Sequence, residues 1–373
     1  MKIAINTLPL YKTKVGMGKY IIELVNRIPK DDPENCYVIY VSEKNEKYFD
    51  LTAKNITIKK VPDILTSPFL KIIWEQLFLP FSLIKNSVDI YHATGFVLPL
   101  WKPKKTKFVV TIADMTFFTH PQYHKWFKNS YFRVFIPISL KNADKVLAIS
   151  ENTKEDIVAI TQTNPKKIQT VHLGVDSYFI PEQKKEYGLI LAKYKIKQPY
   201  TLFVGMLEPR KNIIGLIKAF SLIEDKKGHI LVIVGEKGWM YDTIFSYVNK
   251  LGLENDVLFI GYVPDHDLAA LYSRATCFVY PSFYEGFGIP VIEAMACGCP
   301  VITSNNSSLK EIVGDAAILI DPYSVEQIAE KMQLLLQNKE EQQKRKDAGL
   351  KQARKYKWEL FAKKTKNTYE RSY

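Results

Sequence analysis

YTLFVGMLEPRKN, Tyr200 to Asn212, runs from an apolar strand through Gly205 to a turn that carries Arg210 and Lys211 at the start of the next helix. A strand, a glycine-bearing loop and a helix, in that order, open a doubly wound α/β domain in which helices cover a mainly parallel sheet. The pattern continues downstream, with strands predicted at His229–Gly235, Val257–Ile260 and Thr276–Tyr280 and helices from about Asn212, from Met240 and from Asp265. Upstream the chain follows the same plan. Strands are predicted over Lys2–Asn6, Cys36–Ser42, Ile56–Val61, Val88–His92, Lys107–Ile112 and Lys145–Ile149. Helices fall at Gly18 to Ile28, around Trp126 to Leu140 and after Ser150, where Ser150 and Asn152 both suit the N-cap.

From Gly174 to about Pro199 the alternation lapses into a polar, lysine-rich stretch, which puts the domain boundary there: residues 1–180 form one domain and 181–357 the other. The last stretch, about 358–373, holds Trp358, Leu360, Phe361, Ala362 and Tyr369, so it is a helix with an apolar face to cover. The fold class is therefore α/β, two doubly wound Rossmann-like domains. Facing one another, they would set the carboxyl ends of both sheets around a central cleft, where ligands bind in open α/β sheets.

A length of 373 residues agrees with two domains, and 47% hydrophobic with 24% charged residues describes a packed globular protein rather than a disordered one. Four cysteines are too few for a disulfide scaffold, and the Cys297-x-Cys299 pair has no nearby histidines, so neither disulfides nor bound zinc are expected. A reducing cytosol fits. The start, MKIAINTLPLY, lacks the apolar stretch of an export signal, and the apolar window from Ile64 to Ile84 is broken by Pro68, Lys71, Glu75 and Pro80.

Most of the net charge of +13 falls in the first half. Between Trp101 and Lys141 eight basic residues face a single acid, Asp114, and are interleaved with Trp101, Trp126, Phe127, Tyr131 and Phe132. That mixture suits an anionic membrane surface, or else a solvated lysine-rich face. No nucleic-acid partner is expected, because none of the recognisable binding signatures occurs.

In PSFYEGFGIPVIEAMACGCPVI, Pro281 to Ile302, the carboxylates Glu285 and Glu293 flank Gly286 and Gly288, with Pro290 ahead of an apolar helix. Glycines at a strand-to-helix turn admit a ligand close to the backbone, and proline in the first turn leaves the helix amino end open toward it. Two carboxylates aimed at such a place suit a polyhydroxyl ligand. A glutamate amid Ile292, Ala294 and Met295 is a poor fit to a free surface. Arg210 and Lys211 supply an arginine fork and a point charge, which with a helix amino end would hold a diphosphate without a metal. KVGMGKY, Lys14 to Tyr20, is a short glycine loop that falls short of a dinucleotide fingerprint; it is either a loop whose backbone would touch a phosphate or a sugar, or a plain tight turn. Asp265-His266-Asp267 resembles a metal-held nucleotide site, but it opens a helix, with Asp265 as N-cap and Asp267 in the first turn, and is read as structural.

With these constellations the chain resembles the retaining glycosyltransferases of the GT-B fold, family four, which includes mannosyl- and glucosyltransferases of bacterial polysaccharide assembly. Further stretches carry the likeness: WEQLFLP from Trp74, HATGFVLP from His92, TIADMTFFTHPQYH from Thr111, HLGVD from His172, GYVPDHDLAALYSRA from Gly261 and SLKEIVGDAAILIDP from Ser308. The resemblance implies that Glu285 contacts the donor sugar hydroxyls, Glu293 the nucleotide ribose, and Arg210 and Lys211 the diphosphate. The loop Gly286, Phe287, Gly288 and Ile289 would hold the sugar, and backbone at Gly261, Tyr262 and Val263 the base. Gly205 closes the donor-side strand, and Gly16 would approach the phosphate from the other domain. It also implies a UDP- or GDP-hexose substrate, a glycan or lipid-linked acceptor, no cofactor and no metal.

The chain departs from the family at two places. Ala113 stands where a histidine usually precedes Asp114, so that Asp114 remains as a catalytic-side candidate and His92 or His120 would substitute on the acceptor side. Met206 stands where some relatives have an arginine, which shifts more of the diphosphate onto Arg210 and Lys211. The alternative implied by Ala113 is a nucleotide-sugar-binding protein weakened in catalysis. UDP-glucose and GDP-mannose are the leading donors.

Overall fold

The computed structural model describes residues 1–10, 16–181, 186–238 and 241–373. Its residues divide into two compact units, Met1–Gly174 with Trp358–Tyr373, and Val175–Lys357. The division therefore falls after Gly174, at the start of the polar stretch rather than near residue 180.

The first unit is built on β1 (Lys2–Asn6), β2 (Cys36–Ser42), β3 (Ile56–Val61), β4 (Ile90–Ala93), β5 (Lys107–Ile112), β6 (Lys145–Ala148) and β7 (Ile168–Thr170). They form one seven-stranded sheet in the order β3-β2-β1-β4-β5-β6-β7, with every neighbouring pair parallel. β4 begins at Ile90 because the preceding helix, Leu79–Lys85, ends in a turn with Ser87 at φ 48°, so pairing with β1 starts at Ile3↔Ile90. The expected helix at Gly18 runs over Met17–Asp31. Ser150 caps Glu151–Thr161 by accepting the Thr153 N–H at 3.0 Å, whereas Asn152 lies inside that helix and bonds Asp156.

The second unit holds β8 (Tyr200–Val204), β9 (Ile230–Val234), β10 (Val257–Gly261), β11 (Cys277–Tyr280), β12 (Val301–Ser304) and β13 (Ile318–Ile320). These six strands are parallel in the order β10-β9-β8-β11-β12-β13. β8 and β9 are buried at every residue, as expected of parallel strands covered by helices on both faces. The helix expected from Met240 is seen over Asp242–Lys250; Met240 itself lies outside the described residues.

Each sheet reverses its strand order once, between β1 and β4 and between β8 and β11. At such a switch point the connections leave to opposite sides and a crevice opens beyond the carboxyl ends of the two strands. The helix Trp358–Glu370 belongs to the first unit. It buries Trp358, Phe361, Ala362 and Tyr369 and leaves Leu360 exposed; Phe361 meets Tyr20 edge-on, and Lys366 pairs with buried Asp32 at 3.1 Å.

Candidate functional site

In the second unit the switch point brings two of the sequence-predicted constellations together. Arg210 and Lys211 follow β8, and Glu285 follows its neighbour β11. Asn212 adopts φ 55°, which breaks the chain into a separate 3₁₀ turn, Pro209–Lys211, before the helix Ile213–Ser221. Arg210 and Lys211 thus occupy that turn and not the first turn of the helix, a correction to the sequence reading. The Asn212 side-chain amide holds the bend, its Nδ2 donating to the Pro322 carbonyl at 2.6 Å.

Lys211 Nζ lies 2.6 Å from Glu285 Oε1 and donates to the Tyr280 hydroxyl at 2.7 Å. Arg210 Nη1 lies 3.0 Å from Glu285 Oε2 and donates to the Tyr284 carbonyl at 2.6 Å, while Nη2 meets Glu208 at 2.9 Å. Both Lys211 and Glu285 are buried. Burial alone would push the Glu285 carboxyl up, yet the Arg210 and Lys211 charges overcome it and hold it at about 2. Burial lowers the Lys211 ammonium from its ordinary value, with the Glu285 charge opposing. The site is thus a preset, ionised cluster of two cations bridged by one carboxylate.

The loop after Glu285 is equally constrained. The Glu285 amide donates to Ser307 Oγ at 3.1 Å, and the Glu285 carbonyl accepts from Ser308 Oγ at 2.9 Å. Gly288 caps the helix Ile289–Ala296 at φ 98°, and a Cβ there would stand 2.7 Å from Leu309 Cδ2. Pro290, which has no N–H, sits in the first turn of that helix, and the Val291 amide donates to the Gly288 carbonyl at 2.9 Å. Gly286, Phe287 and Ile289 are buried, Phe287 against Tyr356. Glu293 is buried as well, with the Tyr272 hydroxyl donating to it at 3.4 Å, so it does not belong to a solvated helix face.

Gly205 continues β8 by donating to the Val234 carbonyl at 2.9 Å. Gly261 ends β10 at φ 70°, Tyr262 is exposed, and the Val263 side chain is buried, which leaves backbone as what Val263 can offer. Met206 is exposed. Asp265 and Asp267 are occupied structurally, by Tyr178 at 2.7 Å and by Lys193 and Tyr194 at 2.6 and 2.7 Å. The N-cap, however, is Pro264, and Asp265 is already the first helical residue.

In the first unit the predicted residues scatter. Gly16 caps the first helix at φ 57°; Lys14 and Val15 of the same glycine loop lie outside the described residues. His92 does not serve as a substitute for the missing histidine. It is fully buried, with Nδ1 2.7 Å from the Tyr369 hydroxyl and Nε2 2.8 Å from Thr111 Oγ1, and burial lowers it to about 3. His92 therefore fastens the last helix to the sheet. His120 stacks on Tyr123 and bonds Thr119 at 2.9 Å. Asp114, just after β5, accepts from the Thr116 amide at 2.9 Å and the Thr116 hydroxyl at 2.5 Å.

A model described as glycosyl transferases group 1 matches residues 189–352, and one described as glycosyltransferase family 4 matches residues 15–178. O-antigen chain mannosyltransferase B of Escherichia coli is 33% identical over 388 residues, covering 99% of this chain and 100% of its own. The chain belongs to the group 1 glycosyltransferases. O-antigen chain mannosyltransferase RfbU of Salmonella typhimurium is 28% identical, covering 85% of this glycosyltransferase and 86% of itself. Among solved structures, sucrose-phosphate synthase of Thermosynechococcus elongatus superposes with a TM-score of 0.77 at 20% identity, covering 99% of this chain and 98% of its own. HepE of Anabaena in complex with UDP-glucose superposes with 0.76 at 15%, covering 99% of each. These neighbours share the GT-B fold.

Three features of the glycosyltransferase escaped the sequence reading. Gly235, after β9, has φ 154°, and a Cβ there would stand 1.9 Å from the Gly205 carbonyl oxygen, so the loops after β8 and β9 close on one another only because this residue is glycine. Its signal was a glycine at a strand end. Thr116 Oγ1 also lies 2.9 Å from His124 Nε2, which joins Asp114 through Thr116 to a histidine quoted in TIADMTFFTHPQYH but not singled out. At the switch point of the first sheet, Asn6 Nδ2 donates to buried Glu75 at 2.7 Å, and burial raises the Glu75 carboxyl. Glu75 stands in WEQLFLP, where its burial follows from a π-helical turn over Trp74–Phe78 that no pattern in the sequence announces.

Proposed function

We propose that this glycosyltransferase moves a hexose from a UDP- or GDP-sugar to a glycan or lipid-linked acceptor in polysaccharide assembly, with retention of anomeric configuration and without a metal ion. The observation that carries the reading is the convergence of Arg210, Lys211 and Glu285 at the switch point beyond β8 and β11. Mannose comes first among the candidate hexoses, since the relatives that match along most of their length are named mannosyltransferases.

Departure of the nucleoside diphosphate builds negative charge on the phosphate oxygens, and fixed cations that need no reorganisation stabilise such charge best. Arg210 and Lys211, already held by Glu208, Glu285 and Tyr280, meet that demand. The amino end of the helix Ile289–Ala296 adds its dipole. Glu285, ionised at neutral pH, accepts hydrogen bonds from sugar hydroxyls and acts as a positioner, and Glu293 does the same for the ribose. The acceptor hydroxyl attacks the anomeric carbon from the face that the diphosphate leaves. Its proton passes to the departing phosphate oxygen, so no enzyme nucleophile is needed.

The test is a panel of UDP- and GDP-hexoses with release of the nucleoside diphosphate as the readout, followed by the anomeric configuration of the product. A single productive donor and a retained anomer are expected. An inverted product refutes the mechanism. Donor binding with neither transfer nor slow hydrolysis shifts the reading to a nucleotide-sugar-binding protein, the consequence drawn from Ala113.

A further inference from the structure

β1 ends at Asn6, beside β4 and at the place where the first sheet reverses its strand order. Asn6 Oδ1 accepts the Leu8 amide at 3.0 Å, so its Nδ2 is fixed as a donor, to Glu75 Oε1 at 2.7 Å and to the Tyr91 hydroxyl at 3.2 Å. The Asn6 carbonyl accepts from Thr94 Oγ1 at 2.6 Å, which ties the chain after β4 to the end of β1. Glu75 is brought to this point by the π-helical turn Trp74–Phe78. The residues on either side of it are held: Trp74 meets Tyr40 edge-on at 5.6 Å, and Gln76 donates to the Leu98 carbonyl at 3.3 Å. A π turn carries one residue more than an α turn, and such turns collect at functional sites.

The carboxylate is poorly compensated for its depth. Glu75 is 8% exposed, and among the described residues its Oε2 has no hydrogen-bond partner. That oxygen is not sealed in the interior, so it reaches the opening at the strand ends. Burial pushes the carboxyl up from its ordinary value, with the Lys71 charge and the Asn6 bond opposing. Buried Asp32, in the same unit, shows what a structural carboxylate gathers: Tyr37, Asn35 and Lys366 all meet it, and in spite of burial it stays below its ordinary value. A carboxylate with a single neutral hydrogen-bond donor costs stability, and a ligand hydroxyl supplies the missing bond.

We infer, resting on the transfer reading above, that the crevice beyond β1 and β4 holds the hexose end of the acceptor and that Glu75 Oε2 accepts a hydrogen bond from one of its hydroxyls. Ligands of open α/β sheets enter at such a switch point. The two sheets differ in the chemistry they present there. Arg210 and Lys211 at the second suit a diphosphate, whereas a carboxylate at the first repels one and favours neutral hydroxyl groups. Any phosphate of a lipid-linked acceptor therefore lies away from Glu75. Because Asn6 orients Oε1, Oε2 is presented to the hydroxyl in one direction, which makes Glu75 a selector of acceptor stereochemistry.

The probes are methyl α-mannoside and methyl α-glucoside, titrated into the full chain by saturation-transfer NMR without nucleotide sugar. UDP and GDP are titrated separately, so a failure here and a failure of the transfer reading are distinct results. One glycoside is expected to bind the wild type, and Glu75→Gln to weaken it by about tenfold or more, the loss of a hydrogen bond to a charged group. E75Q keeps the affinity for nucleoside diphosphate. It also melts no lower than the wild type, since glutamine retains an oxygen for Asn6 and removes the buried charge. On the wild type itself, the glycoside slows hydrogen exchange in the peptides containing Asn6 and Glu75. Binding of neither glycoside, equal affinity in E75Q, or exchange protection confined to other peptides overturns the inference. So does a large loss of Tm in E75Q, which would make Glu75 a structural group, and so does a signal kept in E75Q but lost in E285Q, which would put the sugar in the loop after β11.

Discussion

Lys211→Met tests whether the cluster of Arg210, Lys211 and Glu285 is a coupled ionic unit. Glu285 falls from an ordinary 4.5 to about 2 in spite of burial; at 1.36 kcal/mol per pH unit this favours the ionised carboxylate by about 3 kcal/mol. Because its pKa in the fold is depressed, that stability is present above about pH 4.5 and is lost as pH falls toward 2. Methionine keeps the length of the lysine stem but removes the 2.6 Å partner, leaving Glu285 with Arg210 at 3.0 Å. Removing one member of a buried pair costs about 3–5 kcal/mol, since the other charge stays buried and less compensated. Glu285→Gln exposes Lys211 to the mirror-image penalty. In K211M/E285Q no charge of the pair remains, and Arg210 keeps Glu208 at 2.9 Å. The double variant should therefore cost less than the two single ones together, by about 2–3 kcal/mol. Hydrogen-exchange mass spectrometry on the β8 and β11 peptides reads the opening free energy of this sheet alone, which avoids assuming that two units unfold as one. Additivity within about 0.5 kcal/mol would refute the coupled cluster. So would a K211M sheet whose acid sensitivity does not move above the window of the wild type.

Two further predictions concern groups outside that cluster. The folded state holds His92 neutral, near pKa 3, whereas the unfolded chain takes up a proton near 6.5, so its stability is complete above pH 6.5 and falls with acidification by about 1.4 kcal/mol per pH unit. H92Q, whose amide can still meet Thr111 and Tyr369, should flatten exchange from β4 between pH 6.5 and 4.5 by that slope; an unchanged slope would show that His92 is not the titrating group. Gly235→Ala forces a Cβ to 1.9 Å from a backbone oxygen and should cost about 1–3 kcal/mol or more, whereas Gly252→Ala, at φ 65° with open space around it, should cost about 1 kcal/mol. Equal losses of Tm in the two variants would contradict the crowding argument.

The strands that the sequence announced are those with apolar, β-branched runs, such as Ile230–Val234, because burial on both faces leaves a continuous signal. β7 and β13, three residues each, are too short to show a period, and they owe their pairing to the sheet already present. Arg210, Lys211 and Glu285 were legible as residue types suited to phosphate and sugar. Their mutual pairing was not, since it joins side chains 74 positions apart through the adjacency of β8 and β11. His92 misled for the same reason. A histidine at the end of a strand reads as available until Tyr369, from the far end of the chain, and Thr111 take both its nitrogens.

The most direct test of the central claim, that Arg210 and Lys211 form a diphosphate site, is calorimetric titration of UDP and GDP into the wild type and into R210A/K211A, with melting as the check on folding. The account predicts that one nucleoside diphosphate binds the wild type and that the double variant, still folded, binds it at least about a hundredfold more weakly, a loss of about 2.7 kcal/mol. Equal affinity in a folded double variant would contradict it.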